Sequence, residues 1–263
     1  MRSSLFQQRV DVLLDRSITI SVVSHGQANL VKALLSDLEK INTNLIREVI
    51  VTYNIPEIHD LFVTNAKLHV IKNNSPKGFA ANHNAAFQQA TGDYFCVLNP
   101  DIRLKDNPFV TLLEEMRALK LAMIAPAIID ENGQYDDSVR KFPTIRSLLK
   151  RLILGKHDHY LFSKTDKVLY PDWVGGMFML FDRHAYQAVN GFDEQYFLYY
   201  EDVDICVRLW DKGLPIAVSP QVSVIHQAQR QSHRRLKYLR WHLNSMIRFF
   251  AKYRGRFPTI SNR

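Results

Sequence analysis

Short apolar runs rich in β-branched and aromatic residues alternate with more widely spaced apolar stripes over the first hundred residues. Residues 18–23, ITISVV, read as a buried strand, after which Ser24, His25 and Gly26 turn the chain. Leu30, Leu34, Leu35, Leu38 and Ile41 then recur at spacings of three and four, which predicts an amphipathic helix ending near Asn42. The alternation repeats: EVIVTY from Glu48 and LHVIK from Leu68 predict strands, residues 82–90 a helix, and YFCVL from Tyr94 a further strand. Strands interleaved with helices predict an α/β fold with a mostly parallel central sheet covered by helices on both faces. Ligands of such sheets bind beyond the carboxyl ends of the strands, so the loops at His25, Asn54, 73–78 and 99–101 are expected to meet in one crevice.

Later segments add the candidate chemistry. Asn99-Pro100-Asp101 projects an amide and a carboxylate from a strand end; the spacing suits a hard divalent cation shared with substrate phosphates, although taken alone Asn, Pro and Asp more often make an ordinary turn. In KGFAANHN, residues 77–84, Gly78 permits close approach of backbone to a ligand, and Asn82 and Asn84 offer amides at a helix start or merely cap it. Residues 173–180, WVGGMFML, run from Trp173 through Gly175 and Gly176 into an apolar strand; the glycines leave room for a ligand or mark a bulge.

Residues 192–208, FDEQYFLYYEDVDICVR, set five acids, Asp193, Glu194, Glu201, Asp202 and Asp204, among aromatic rings. Burying carboxylates there is costly unless they bind something or do chemistry. With a helix starting near Glu201, Asp202 shares a face with Cys206 and Leu209 and points inward from the first turn. There the dipole favours its ionised form, and it can take a proton from a delivered hydroxyl, or it and Glu201 simply complement the dipole. Asp204 points about 200° away. His226 follows the strand-like VSVI, and beside Asp101 its imidazole would complete a mixed oxygen and nitrogen metal site.

Composition narrows the class. The 263 residues are long enough for a sizeable core, and the two cysteines, Cys96 and Cys206, lie in apolar runs, as buried thiols of a reducing compartment do. No apolar run approaches the ~20 residues of a membrane span, nor does the N-terminus read as a signal peptide, so a cytoplasmic protein is expected. The net charge of +8 belongs to the tail: from Lys212 onward there are eleven Lys or Arg and no Asp or Glu. In SHRRLKYLRWHLNSMIRFFAKY, residues 232–253, Leu236, Leu239, Leu243, Met246, Ile247 and Phe250 form an apolar stripe amid cations. That stripe either docks on the body of the protein or lies on an anionic membrane surface. A nucleic-acid-binding protein would use the basic tail, but the basicity does not extend into the α/β body and the acidic cluster is left without a role. Nucleotidyl transfer shares the α/β plan, yet the first strand lacks a Gly-rich, cationic phosphate loop.

Taken in order, GFAANHN, FCVLNPDI, SVRKFP, WVGGMFML, NGFDEQYFLYYEDVDICVRL and VIH closely resemble the bacterial family 2 glycosyltransferases, in particular the O-antigen rhamnosyltransferases of lipopolysaccharide synthesis, over about residues 18–252. The resemblance implies a GT-A fold over residues 1–230, with 231–263 as a basic amphipathic helical extension. It implies inverting transfer of a sugar, dTDP-rhamnose being the favoured donor and UDP-galactofuranose, UDP-glucose or UDP-GlcNAc the alternatives. The acceptor it implies is a saccharide on polyprenyl diphosphate at the inner face of the plasma membrane, with peripheral membrane attachment. By the same resemblance Asp202 is the general base, and Asp101 and His226 hold Mg2+ or Mn2+ against the donor diphosphate. Asn54, Gly78, Asn84, Asn99, Asp101 and Arg140 fall on the donor side, and Trp173, Gly175, Gly176, Asp193, Glu194 and Glu201 on the acceptor side. Two departures stand out: Tyr53 replaces an acid that contacts the nucleoside, and Asn99 replaces the first acid of the DxD-type motif.

Overall fold

The computed structural model describes residues 17–41, 43–57, 66–147, 160, 162–164, 166–227 and 236–260. The stripe end expected near Asn42, the domain boundary expected after residue 230 and residues 232–235 of the expected tail helix lie outside them.

The strands are β1 (Ile18–Ser24), β2 (Ile46–Tyr53), β3 (Lys67–Lys72), β4 (Tyr94–Leu98), β5 (Ile102–Arg103), β6 (Met123–Ile129), β7 (Val139–Arg140), β8 (Trp173–Val174), β9 (Phe178–Asp182) and β10 (Ile216–His226). The helices are α1 (Ala28–Lys40), α2 (Phe79–Gln89), α3 (Phe109–Ala118), α4 (Arg183–Ala188), α5 (Glu201–Asp211) and α6 (Leu236–Tyr253). Eight strands form one sheet in the order β3-β2-β1-β4-β9-β6-β10-β5, and β7 and β8 form a separate ribbon. The β3-β2-β1-β4 half is parallel, as the alternating pattern predicts. The whole sheet is mixed, because β9 enters antiparallel between β4 and β6 and β5 pairs antiparallel with the end of β10. A strand buried on both faces carries no alternation to reveal its direction.

Helices α1 and α3 bury Val31, Leu34, Leu38, Phe109, Leu112 and Leu113 against one face of the sheet. Helices α2, α4 and α5 bury Ala86, Phe87, Tyr186, Ile205 and Leu209 against the other. Cys96 and Cys206 are buried free thiols within these cores.

Helix α6 docks on α5 and on the loop before it, burying Phe249 against Tyr200, Val203 and Val207. Ser245 donates to the Leu198 carbonyl (2.9 Å), and Asp204, wholly buried, accepts from Lys252 Nζ (2.6 Å), Tyr253 OH (2.8 Å) and Arg208 Nε (2.7 Å). The apolar stripe divides: Met246 packs on the docked side and Phe250 lies half-buried against Phe249, but the rest of it does not dock. Leu236, Leu239, Leu243 and Ile247 all point to solvent, Leu236 at 86% exposure, so the helix is apolar on both sides.

Candidate active site

The carboxyl ends of β1, β2 and β4 open into a cleft of about 620 Å3 that reaches the N-terminus of α5. Asn54, nearly buried after β2, shapes one wall. Its amide nitrogen donates to the Lys77 carbonyl (2.9 Å) and its oxygen accepts from Lys77 N (2.8 Å) and from Asn73 (2.9 Å), which also donates to Asn82 (2.7 Å). This network fixes the 73–78 loop by side-chain amides rather than by regular structure. Lys77 and Asn82 thereby line the cleft.

Four expected site residues serve the frame instead. A Cβ on Gly78 would lie 2.6 Å from the Phe197 carbonyl oxygen, so the missing side chain lets two chain segments touch rather than admitting a ligand. Asn84 accepts from Tyr186 OH (2.7 Å) and Phe192 N (3.0 Å) and donates to the Phe192 carbonyl and Glu194 (both 2.9 Å). Its amide is spent holding the 191–194 turn, and Glu194 is held with it. Asp193 accepts from Lys252 Nζ (2.8 Å) and Gln195 N (3.1 Å), away from the cleft.

Asn99 and Asp101 line the cleft floor on a turn pinned from behind, where Arg103 grips Asp37 of α1 through Nε (2.6 Å) and Nη2 (2.9 Å). Asp101 Oδ2 lies 3.4 Å from His226 Nε2, while His226 Nδ1 is 2.9 Å from Asp136 Oδ2. Burial opposes a charge on His226, but the hydrogen bonds and charges of Asp101 and Asp136 outweigh it and raise its pKa to about 9. The imidazolium thus bridges two carboxylates. Among the described residues no three His, Cys, Asp or Glu side chains are grouped to hold a metal, yet Asp101 Oδ1 is buried with no hydrogen-bond partner. An orphaned carboxylate oxygen fits a cation of the Mg2+ or Mn2+ kind, which takes one or two protein ligands and completes its shell with substrate phosphates and water.

Across the cleft, Tyr199 and Tyr200 adopt the left-handed conformation (φ 71° and 68°), a strained entry that turns α5 so that its first residues face the cavity. Asp202 is partly exposed there; its oxygens accept from Val203 N (2.8 Å) and Gly176 N (3.2 Å). A Cβ on Gly176 would press on the Phe79 ring at 3.3 Å and touch Asp202 Cβ at 3.6 Å, so the bare glycine lets Phe79 and Asp202 both close on this backbone. Desolvation raises the Asp202 carboxyl above the usual Asp range, against the pull of those two amides and the Arg140 charge. The expected preference for the ionised form at a helix start is therefore outweighed by burial. Glu201 is pushed up further by burial and by Asp202, and its Oε2 has no hydrogen-bond partner. Arg140 is held by Asp137 (Nη2 to Oδ2, 2.7 Å) and lies 5.3 Å from the centre of the Trp173 ring, so both line the cleft as one unit with Gly175.

The family model for glycosyl transferase family 2 matches residues 51–165, and the one described as N-terminal domain of galactosyltransferase matches 158–234. The rhamnosyltransferase WbbL of Escherichia coli K12 is 30% identical over 261 residues, covering 94% of this chain and 96% of that protein. The chain belongs to the family 2 glycosyltransferases. A Mycobacterium tuberculosis N-acetylglucosaminyl-diphospho-decaprenol L-rhamnosyltransferase is 28% identical over 151 residues, 54% of this glycosyltransferase and 49% of the relative. Among solved structures, GalNAc-T7 with UDP, GalNAc and Mn2+ superposes with TM-score 0.64 at 14% identity, over 92% of this chain and 48% of that one. The Pyrobaculum calidifontis mannosyltransferase with GDP-Man and Mn2+ gives 0.55 at 15% identity, over 93% and 71%. These two establish the GT-A fold.

The glycosyltransferase also recruits residues that the sequence pattern does not single out. Asp136, partner of His226, sits in the loop NGQYDDSVR, where a pair of acids beside an Arg was the available signal. Tyr238, Trp241 and His242 of α6 line the cleft, although the tail reads from sequence as an appendage.

Proposed function

We propose that this glycosyltransferase moves L-rhamnose from dTDP-rhamnose to a hydroxyl of a polyprenyl-diphosphate-linked saccharide, with inversion, during assembly of a cell-surface polysaccharide. The observation that carries this reading is the Asp202 carboxylate at the start of α5 sharing one cleft with the Asn99–Asp101 turn, in a chain 30% identical to a rhamnosyltransferase over 94% of its length. Inversion requires a base on the face of the sugar opposite the leaving diphosphate. Asp202 takes the acceptor proton there, and its raised pKa brings its basicity nearer to what proton transfer at neutral pH requires. Asn54, with the loop it fixes, and Arg140, stacked on Trp173, hold the donor and orient its diphosphate. Asp101, with His226 behind it, would hold Mg2+ or Mn2+, which when bound neutralises charge on the departing diphosphate.

A thermal-shift screen tests the donor, since a ligand that binds only the folded state raises the melting temperature. The largest rise is expected with dTDP-rhamnose and divalent cation together. A larger one with UDP-galactofuranose, UDP-glucose or UDP-GlcNAc would reassign the donor.

Attachment to the inner face of the membrane is part of the same reading. Among the described residues no helix is long and apolar enough to cross a bilayer. The exposed row Leu236, Leu239, Leu243 and Ile247, flanked by exposed Lys237, Arg240 and Arg248, instead suits lying on an anionic surface. Co-sedimentation with vesicles containing phosphatidylglycerol is expected to fall as salt rises past about 0.15 M, where screening shortens to ~8 Å. Binding indifferent to salt, or absent, would count against this surface, and no gel shift of nucleic acid is expected.

A further inference from the structure

The inner face of α6 is unlike its outer one. Trp241 packs on Phe197 with ring centres 4.6 Å apart and planes at 31°, Tyr238 meets Trp241 edge-on at 5.3 Å, and His242 reaches Tyr199 at 5.3 Å. Tyr238, Trp241 and His242 all line the same cleft as Asp202. Lys237 Nζ lies over the Trp241 ring, 4.7 Å from its centre, on an exposed, flexible stem that can swing off that face when a ligand arrives. Both matching family models stop at or before residue 234, so the wall lies outside the part of the chain they describe.

Rings that are only partly buried, beside a cation and open to a reaction cleft, match a sugar ring joined to a diphosphate. The apolar face of a pyranose stacks on indole, its hydroxyls reach the imidazole and phenol, and the diphosphate meets the ammonium. We propose that the inner face of α6 is the acceptor-selecting wall of the enzyme, with Trp241 stacking on the sugar next to the lipid diphosphate and His242 and Tyr238 binding its hydroxyls. This rests on the lipid-linked acceptor proposed above and adds the residues that choose it.

Calorimetric titration with two probes tests the wall: dTDP for the donor side, and N-acetylglucosaminyl diphosphate carrying a short, water-soluble alkyl chain for the acceptor side. Trp241→Ala is expected to weaken the saccharide probe about tenfold, with Trp241→Phe recovering most of the loss. Binding of dTDP should be unchanged in both variants, which also reports that they are folded. The wall is overturned if Trp241→Ala leaves the saccharide probe unaffected, if it weakens both probes alike, or if wild type binds dTDP but not the saccharide. Wild type that binds neither dTDP nor any nucleotide sugar would sink the glycosyl-transfer reading itself, and the wall with it.

Discussion

Asp202→Asn is expected to cut turnover by a factor on the order of 10² to 10⁴ while nucleotide-sugar binding stays nearly intact. The amide keeps the shape of the side chain and loses the ability to take a proton, together with one of the two backbone hydrogen bonds, from Val203 N and Gly176 N, that the two carboxylate oxygens accept. A second readout separates this role from a structural one. The folded protein holds the Asp202 proton more tightly than the unfolded chain does, because burial raises the carboxyl above 3.8. Ionised Asp202 therefore costs stability in full above the raised value; the cost shrinks as pH falls through that value and is gone below the ordinary Asp pKa. Asn carries no charge to desolvate, which offsets the lost hydrogen bond, so the melting temperature at neutral pH should change little while activity collapses. In wild type, kcat/KM should decline on the acid side as the Glu201–Asp202 pair protonates, at a pH above the ordinary Asp value, and the limb belongs to the pair. Unchanged turnover in the Asn variant would remove Asp202 as the base.

Asp204→Ala, two residues along, is expected to do the reverse: lower stability by about 3 kcal/mol, measured by chemical denaturation. Its carboxylate is wholly buried and receives Lys252, Tyr253 and Arg208 at once, so deletion strands two cations that lie close together. The value sits at the lower end for a broken buried pair because both cations keep some contact with water, their side chains being 34% and 20% exposed. A loss below about 1 kcal/mol would show that Lys252 and Arg208 simply turn outward.

The contrast between these two acids was partly legible in the chain. Helical periodicity separates Asp202 from Asp204, and it places Asp202 with Cys206 and Leu209 facing inward. What periodicity does not give is which buried side has cations waiting, since Lys252 arrives from 48 residues away. The strand-helix alternation before residue 100 carried the parallel half of the sheet, whereas the direction of β9 depends on which strands its backbone pairs with. Asn84 and Asp193 illustrate the same limit: an amide in GFAANHN and an acid in GFDEQ look like ligands, and only their mutual closeness to Phe192, Tyr186 and Lys252 shows them to be braces. For α6, the stripe at three and four spacing was visible. The aromatic face opposite was equally regular, but a helix apolar on two sides does not declare which side packs.

The grip of Lys252 and Tyr253 on Asp204 also bears on where the enzyme can be cut. A basic tail invites removal as a detachable anchor, to obtain a body that stays in solution. A chain ending before Lys252 would leave the Asp204 carboxylate without two of its donors one turn into the helix that carries the proposed base. Release from the lipid surface proposed above is better sought by changing Leu239 or Ile247 on the outer face than by shortening the protein.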